Sequence, residues 1–176
     1  MGESAVQLTP GQIRREWRCI APQWAQVNRG GTMHQVRRGL VWTFVTIACA
    51  GLLVDGVTHL DLARSYSLVR SSLINQADLF RIEGVAAILV SFSLVIRPSR
   101  MTALLSVVVG LVGAAALLLY TYIDPGAIGP IPDMYEPVWY REKLVSFVGQ
   151  VVAVVGGIAL LLIRPGMNSP IRLQER

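Results

Sequence analysis

Four stretches without a single ionised side chain, 40–54, 84–96, 102–123 and 144–163, limit this sequence more than any other feature in it. A helix built from such a run has no polar face to turn toward water. A soluble fold of 176 residues seldom hides four of them. Lipid as the solvent removes the difficulty. The runs then become spans at about 40–57, 79–96, 101–123 and 144–163, each close to the roughly 17–25 residues that cross a hydrocarbon core about 30 Å thick. Such spans must be helical, because lipid offers no partner to an unpaired backbone amide. Composition agrees: 53% of residues are hydrophobic and 15% charged, against about 25% charged in soluble domains. The expected fold is all-α, a four-helix transmembrane bundle over 40–163, with a basic tail at 1–39 and a short tail at 164–176.

Arginine sets the expected direction of the chain. Counting by alternate sides, eleven of the basic residues fall in the tails and the 97–100 link, and five on the other side. The acidic residues divide the opposite way, three and eight. The basic side is cytoplasmic by the positive-inside rule. Both termini are therefore expected inside, with connectors 58–78 and 124–143 outside, in a multi-pass protein of the cell (inner) membrane. This asymmetry accounts for the net charge of +5 without nucleic acid as a partner. One lysine against fifteen arginines, with much Ala, Val, Gly and Leu, has the bias of a GC-rich bacterial genome.

Arg37 and Arg38 precede an apolar run and then Cys49, an order that superficially matches a lipoprotein or twin-arginine leader. Thr46 stands where a lipobox needs leucine, and the residues after Cys49 stay apolar, so an uncleaved span is expected. Cys19 and Cys49 form no CxxC or metal pattern.

Small residues predict where the helices meet, since close packing drives association in lipid. Gly149, Ala153 and Gly157 recur every four residues in the fourth span, Gly110 and Ala114 in the third. The third and fourth helices are expected to touch along these faces. The short link Arg97–Arg100 makes helices two and three antiparallel neighbours. Gln150, inside the fourth span, needs a polar partner: an interhelical hydrogen bond or a ligand.

In the basic tail, Thr9-Pro10-Gly11-Gln12 has the features of a helix start. Ile13, Trp17, Ile20 and Trp24 follow at helical spacing, with Arg14, Arg15 and Arg18 on other faces. A basic helix with indole rings on its apolar side suits the anionic cytoplasmic leaflet, so Ile13, Arg14, Trp17, Arg18 and Trp24 are its expected membrane-surface residues; a protein partner is the other reading. In the first outer connector, Leu62, Tyr66, Val69 and Leu73 predict an interfacial helix or a lid. In the second, DPGAIGPIPDMYEPVWYREK, prolines and glycines fix a non-helical path. Asp133, Tyr135, Glu136 and Trp139 make it a candidate partner-binding loop, capping the bundle being its other use. Pro137 is expected in the first turn of a fourth helix that starts before the membrane.

The candidate outer site is Asp55, His59 and Glu83. Asp55 and His59 are four apart and share a helix face. Glu83 lies about a turn inside the second span, where an ionised side chain is costly unless paired or hydrated. If helices one and two adjoin, the three converge at the outer mouth and could bind a divalent cation, relay protons or sense pH. The alternative is carboxylates that cap helix ends or pair with Arg64, Arg81 and Arg141. The identity of any metal is unknown from the sequence, and no cofactor is expected. Walker, HExxH, GxSxG and dinucleotide patterns are missing, which removes support for a soluble enzyme.

The short spans and the stretch Gly129-Pro130-Ile131-Pro132-Asp133-Met134-Tyr135-Glu136-Pro137-Val138-Trp139 resemble small four-helix membrane proteins of actinobacteria, over about 40–164. That resemblance implies a similar loop before the last helix and no assigned activity. The four-span layout is also similar to the DoxX-like group, which implies a link to quinone or thiol redox chemistry, although neither cysteine is expected on the outer face. No catalytic residue carries over. The leading expectation is a non-enzymatic accessory or scaffold protein that binds partners or lipid, alone or as a homo-oligomer. The alternative is a small membrane oxidoreductase or quinone-binding subunit with a cavity near Glu83 and Gln150. A transporter is disfavoured, since four spans show no internal repeat.

Overall fold

The computed structural model describes residues 23–67 and 74–163, with side chains from residue 35 onward. The chain divides into two units, Met1–Leu40 and Val41–Arg176. Ile13, Arg14, Trp17 and Arg18 lie outside the described residues, as do Cys19, Val69, Leu73 and the 164–176 tail; Trp24 lies in a helix, its side chain undescribed.

Four α-helices make up the described chain: α1 Gln23–Tyr66, α2 Gln76–Ile96, α3 Arg100–Tyr122 and α4 Arg141–Ile163. All four are long and apolar enough to cross a membrane, the qualifying part of α1 being Gln35–Tyr66. The protein is an all-helical membrane protein.

Each helix buries one stripe at alternating steps of three and four residues, the period of helices packed at shallow angles. On α1 the stripe is Val41, Val45, Ala48, Leu52, Asp55, His59 and Ala63. On α2 it is Ala77, Gly84, Ala87, Ser91 and Leu94; on α3, Ala103, Ser106, Gly110, Gly113 and Thr121. On α4 it is Lys143, Ser146, Gln150, Ala153, Gly157 and Leu160. The opposite faces stay apolar and exposed, with Leu53, Leu89, Phe92, Leu111, Val112, Val148, Val155 and Leu162 among them. A water-soluble monomer rarely presents so continuous an apolar surface. Lipid covers it.

The small residues of α4 serve two neighbours. Gly157 packs on Ala103 and Val107 of α3, and Gly110 of α3 on Gln150 and Val154. Gly149 and Gly156 face α1 instead, where they meet Gly51, Asp55 and Ala48. The expectation that the stripe joins α3 to α4 is met for one side and was blind to the other. Gly56 of α1 and Gly84 of α2 pack against each other in the same way.

Two connectors differ from the sequence-based expectation. α1 does not stop near Val57 but continues to Tyr66, because nothing in Thr58–Ser65 breaks a helix and Thr58 bonds back to the Val54 carbonyl. Leu62 and Tyr66 thus belong to α1 and not to a separate interfacial helix. Pro137 lies outside α4, which begins at Arg141. The Lys143 ammonium donates to the carbonyls of Glu136 and Val138, so the segment before α4 is held extended by a side chain from within it. At the other end, Arg97–Ser99 turns α2 directly into α3, closed by a capping box between Ser99 and Thr102.

Candidate functional site

All four helices place a polar or backbone element near the end of the bundle that carries the 123–140 loop. α1 supplies Asp55 and His59, one turn apart on the buried stripe. The His59 Nδ1 lies 3.0 Å from Asp55 Oδ1 and 3.1 Å from the Asp55 carbonyl. α4 supplies Ser146 and Gln150, also one turn apart. Ser146 donates to Asp55 Oδ1 at 2.7 Å, with its Oγ 3.4 Å from His59 Nδ1. α2 brings Glu83, and α3 contributes Gly113, whose missing side chain makes room: a Cβ there would stand 2.7 Å from Glu83 Oε1 and nearer still to the Gln150 amide nitrogen.

Asp55, His59 and Ser146 look at first like the parts of a nucleophilic triad. Their geometry is not that of one. In a triad the histidine bridges serine and acid through different ring nitrogens, whereas here Asp55 and Ser146 both approach Nδ1 and the serine proton goes to the carboxylate. The trio fixes α1 to α4.

The rest of the cluster is unsatisfied. Asp55 Oδ2, Glu83 Oε1 and both amide atoms of Gln150 are buried with no hydrogen-bond partner among the described residues. Asp55 is 1% exposed and Gln150 0%. The hydrogen bond between helices expected for Gln150 does not form. Buried polar groups nearly always find a partner, and an unmade bond costs about 1–3 kcal/mol. Four such atoms together mark a polar spot that the described residues leave unsatisfied.

That place adjoins a cavity of about 370 Å³, within the range of small-molecule sites. Glu83, Gly113 and Ser146 line its floor, with His59 beside them; Phe80, Leu117 and Tyr120 line its walls; Ile131, Met134, Glu136 and Tyr140 close it from the loop. Cys49 stands apart, buried, its thiol donating to the Ser91 carbonyl.

The loop is built to stay over this mouth. Ile128 and Ile131 exchange both backbone hydrogen bonds around Gly129-Pro130, and Gly129 takes the positive φ of 58° that a tight turn of this kind needs at its first central residue. Asp133 accepts the Tyr135 amide at 2.9 Å. The Glu136 amide donates to the Tyr120 carbonyl and its carboxylate accepts from Tyr66, both at 2.9 Å. Trp139 stacks edge-on against Phe147 and, with Tyr140, lies within 6 Å of the Lys143 ammonium, close enough for cation–π attraction. Burial pushes the Tyr140 hydroxyl above its ordinary range; a hydrogen bond with Tyr66 works against that, and the charges of Glu136 and Glu142 add to it. It remains a donor at neutral pH.

Of the residues singled out from sequence, the structure brings Asp55 and His59 into contact and sets Glu83 and Gln150 together over Gly113. Glu136 reaches the cavity mouth, while Asp133, Tyr135 and Trp139 lie on the loop's outer side, exposed. Among the described residues no group of three or more His, Cys, Asp and Glu is placed to hold a metal ion. Arg64 pairs with Asp61 and Arg81 with Asp78, both on the surface. Ser146, Gly113, Tyr66 and Lys143 were missed as site residues. The i,i+4 spacing of Ser146 and Gln150 was the available signal.

In comparisons with known proteins, no family model, no curated protein and no solved structure matches this chain.

Proposed function

We propose that this chain is a non-enzymatic accessory protein of the cell membrane that binds a small molecule in the lidded cavity between its helices. The observation that carries this reading is the set of four buried, unpartnered polar atoms of Asp55, Glu83 and Gln150 behind the floor of a 370 Å³ cavity. The arginine distribution supports placing both termini in the cytoplasm and the cavity at the outer face. The 123–140 loop is then an external lid with its exposed Asp133, Tyr135 and Trp139 turned to the periphery, where a membrane-protein partner or a second copy would meet them. The basic tail with Trp17 and Trp24 lies on the inner leaflet. Resemblance to small actinobacterial four-helix proteins accords with this layout.

A quinone-binding or redox role is the second reading, favoured by the aromatic walls at Phe80, Tyr120 and Tyr140. Native mass spectrometry of the full chain ejected from lipid nanodiscs separates the cases. A stoichiometric small-molecule adduct that is lost in Gly113→Ala is expected, since the new methyl would displace Glu83 and Gln150. A mass and absorption spectrum of a quinone would favour the second reading. Bare protein throughout would defeat both.

A further inference from the structure

The polar atoms left over at and behind the floor are not a balanced set. Asp55 Oδ2, Glu83 Oε1 and Gln150 Oε1 accept, while Gln150 Nε2 alone donates. Flipping the amide changes nothing in that count, because one end always donates and the other accepts. Of these residues Glu83 is the one that lines the cavity, and what meets it there must bring N–H or O–H donors.

Charge narrows the choice. Two carboxyl groups close together in a desolvated site cannot both stay ionised without positive charge nearby. Among the described residues the titratable groups around the floor are Asp55 and His59 on α1 and Glu83 on α2, with Tyr120 of α3 on the wall above; at the mouth are Glu136, Tyr66, Tyr140 and Lys143. Lys143 does not compensate Glu83. Its ammonium is spent on the Glu136 and Val138 carbonyls, under the rings of Trp139 and Tyr140 and beside the acidic Glu136. His59 faces Asp55 through Nδ1, so that carboxylate already has its partner. Glu83 has none. The walls above it are Phe80, Leu117 and Tyr120, apolar surface with aromatic faces that attract cations.

We infer that the cavity takes a compact organic cation, an ammonium or amidinium group on an apolar body, with the charged head on Glu83 and the body against Phe80, Leu117 and Tyr120. This deepens the small-molecule reading and rests on it. The neutral and anionic analogues of the same body lack what the floor needs: one donates a single hydrogen, the other adds a third carboxylate.

The test uses three probes that share a phenyl body: phenethylammonium, 2-phenylethanol and 3-phenylpropionate. Each is titrated calorimetrically into the full-length protein in nanodiscs at neutral pH, against empty nanodiscs. One site per chain is expected for the ammonium, at least tenfold tighter than the alcohol, with no heat from the carboxylate. Glu83→Gln should weaken the ammonium tenfold or more and move the alcohol less than twofold. The comparison among probes on the unaltered protein needs no variant to fold. Equal or tighter binding of the alcohol or carboxylate would overturn the cation assignment and leave the small-molecule reading standing. Ammonium heats no different from empty nanodiscs would also overturn it, and bare protein by native mass spectrometry would then take the small-molecule reading down as well.

Discussion

Gln150 costs the bundle stability where it stands. A primary amide at full burial with neither end bonded gives up about 1–3 kcal/mol, and the natural replacement at that position in an apolar helix is leucine. Gln150→Leu is therefore expected to raise the melting temperature in detergent while abolishing small-molecule retention, the trade seen where a binding site is held at the expense of packing. A variant that melts lower and keeps its adduct would contradict this. Ser146→Ala should act in the opposite sense. It removes the donor from Asp55 Oδ1 and is expected to destabilise by about 1–3 kcal/mol in chemical unfolding, whatever happens to binding. The Asp55–His59 pair was legible in the sequence because four residues on a helix is a contact. Glu83 and Gln150 were legible singly, each being out of place in an apolar run. Ser146 was not. In apolar helices hydroxyls ordinarily bond back to the preceding turn, as Thr46, Thr58, Ser93 and Thr121 do here. Apart from its spacing of four from Gln150, nothing in the sequence marks the serine that reaches across to another helix instead.

Between elements, glycine decides how close the helices come. A Cβ at Gly51 would fall 2.5 Å from the Gly149 carbonyl oxygen and 2.6 Å from the Ala153 nitrogen, and backbone on a packed helix cannot step aside. Gly51→Ala is expected to cost about 1–3 kcal/mol or more, the range for overpacking. On the same helix, Gly39 meets nothing within 4 Å, so Gly39→Ala should be neutral or stabilise by up to about 1 kcal/mol. Parallel thermal melts of the two variants check the contrast, and equal destabilisation would rule out the close α1–α4 crossing. The sequence pointed to the small-residue face of α4 but not to both of its partners. A four-residue repeat of glycine and alanine reports how near a neighbour can come, and carries no information about which neighbour it is. In the loop, Tyr66→Phe removes the hydroxyl that holds Glu136. Faster ligand dissociation with an unchanged melt is expected, measured by stopped-flow release of bound probe; an unchanged off-rate would mean the loop is no lid.

At the scale of the molecule, solvent explains the architecture. Stripes buried every three to four residues form an interior of glycine, alanine, a few polar side chains and a few leucines and valines, while most of the large apolar side chains cover the outside. In water that arrangement would be inside out. In lipid, close approach between helices replaces the hydrophobic effect as the source of cohesion, and polar groups are tolerated where a cavity or a partner serves them. The spans were plain in the sequence because hydropathy registers this solvent directly. A cavity near Glu83 was expected only under the redox alternative; its walls were not legible, since they come from four helices and the 123–140 loop. The most direct measurement is cysteine labelling with a membrane-impermeant maleimide on intact cells expressing the chain, with Cys19 and Cys49 replaced by serine. Asp133→Cys in the loop should label at once, and Ser99→Cys in the short turn between α2 and α3 only after permeabilisation. Labelling of Ser99→Cys from outside, or recovery of the protein in the soluble fraction without detergent, would contradict the account.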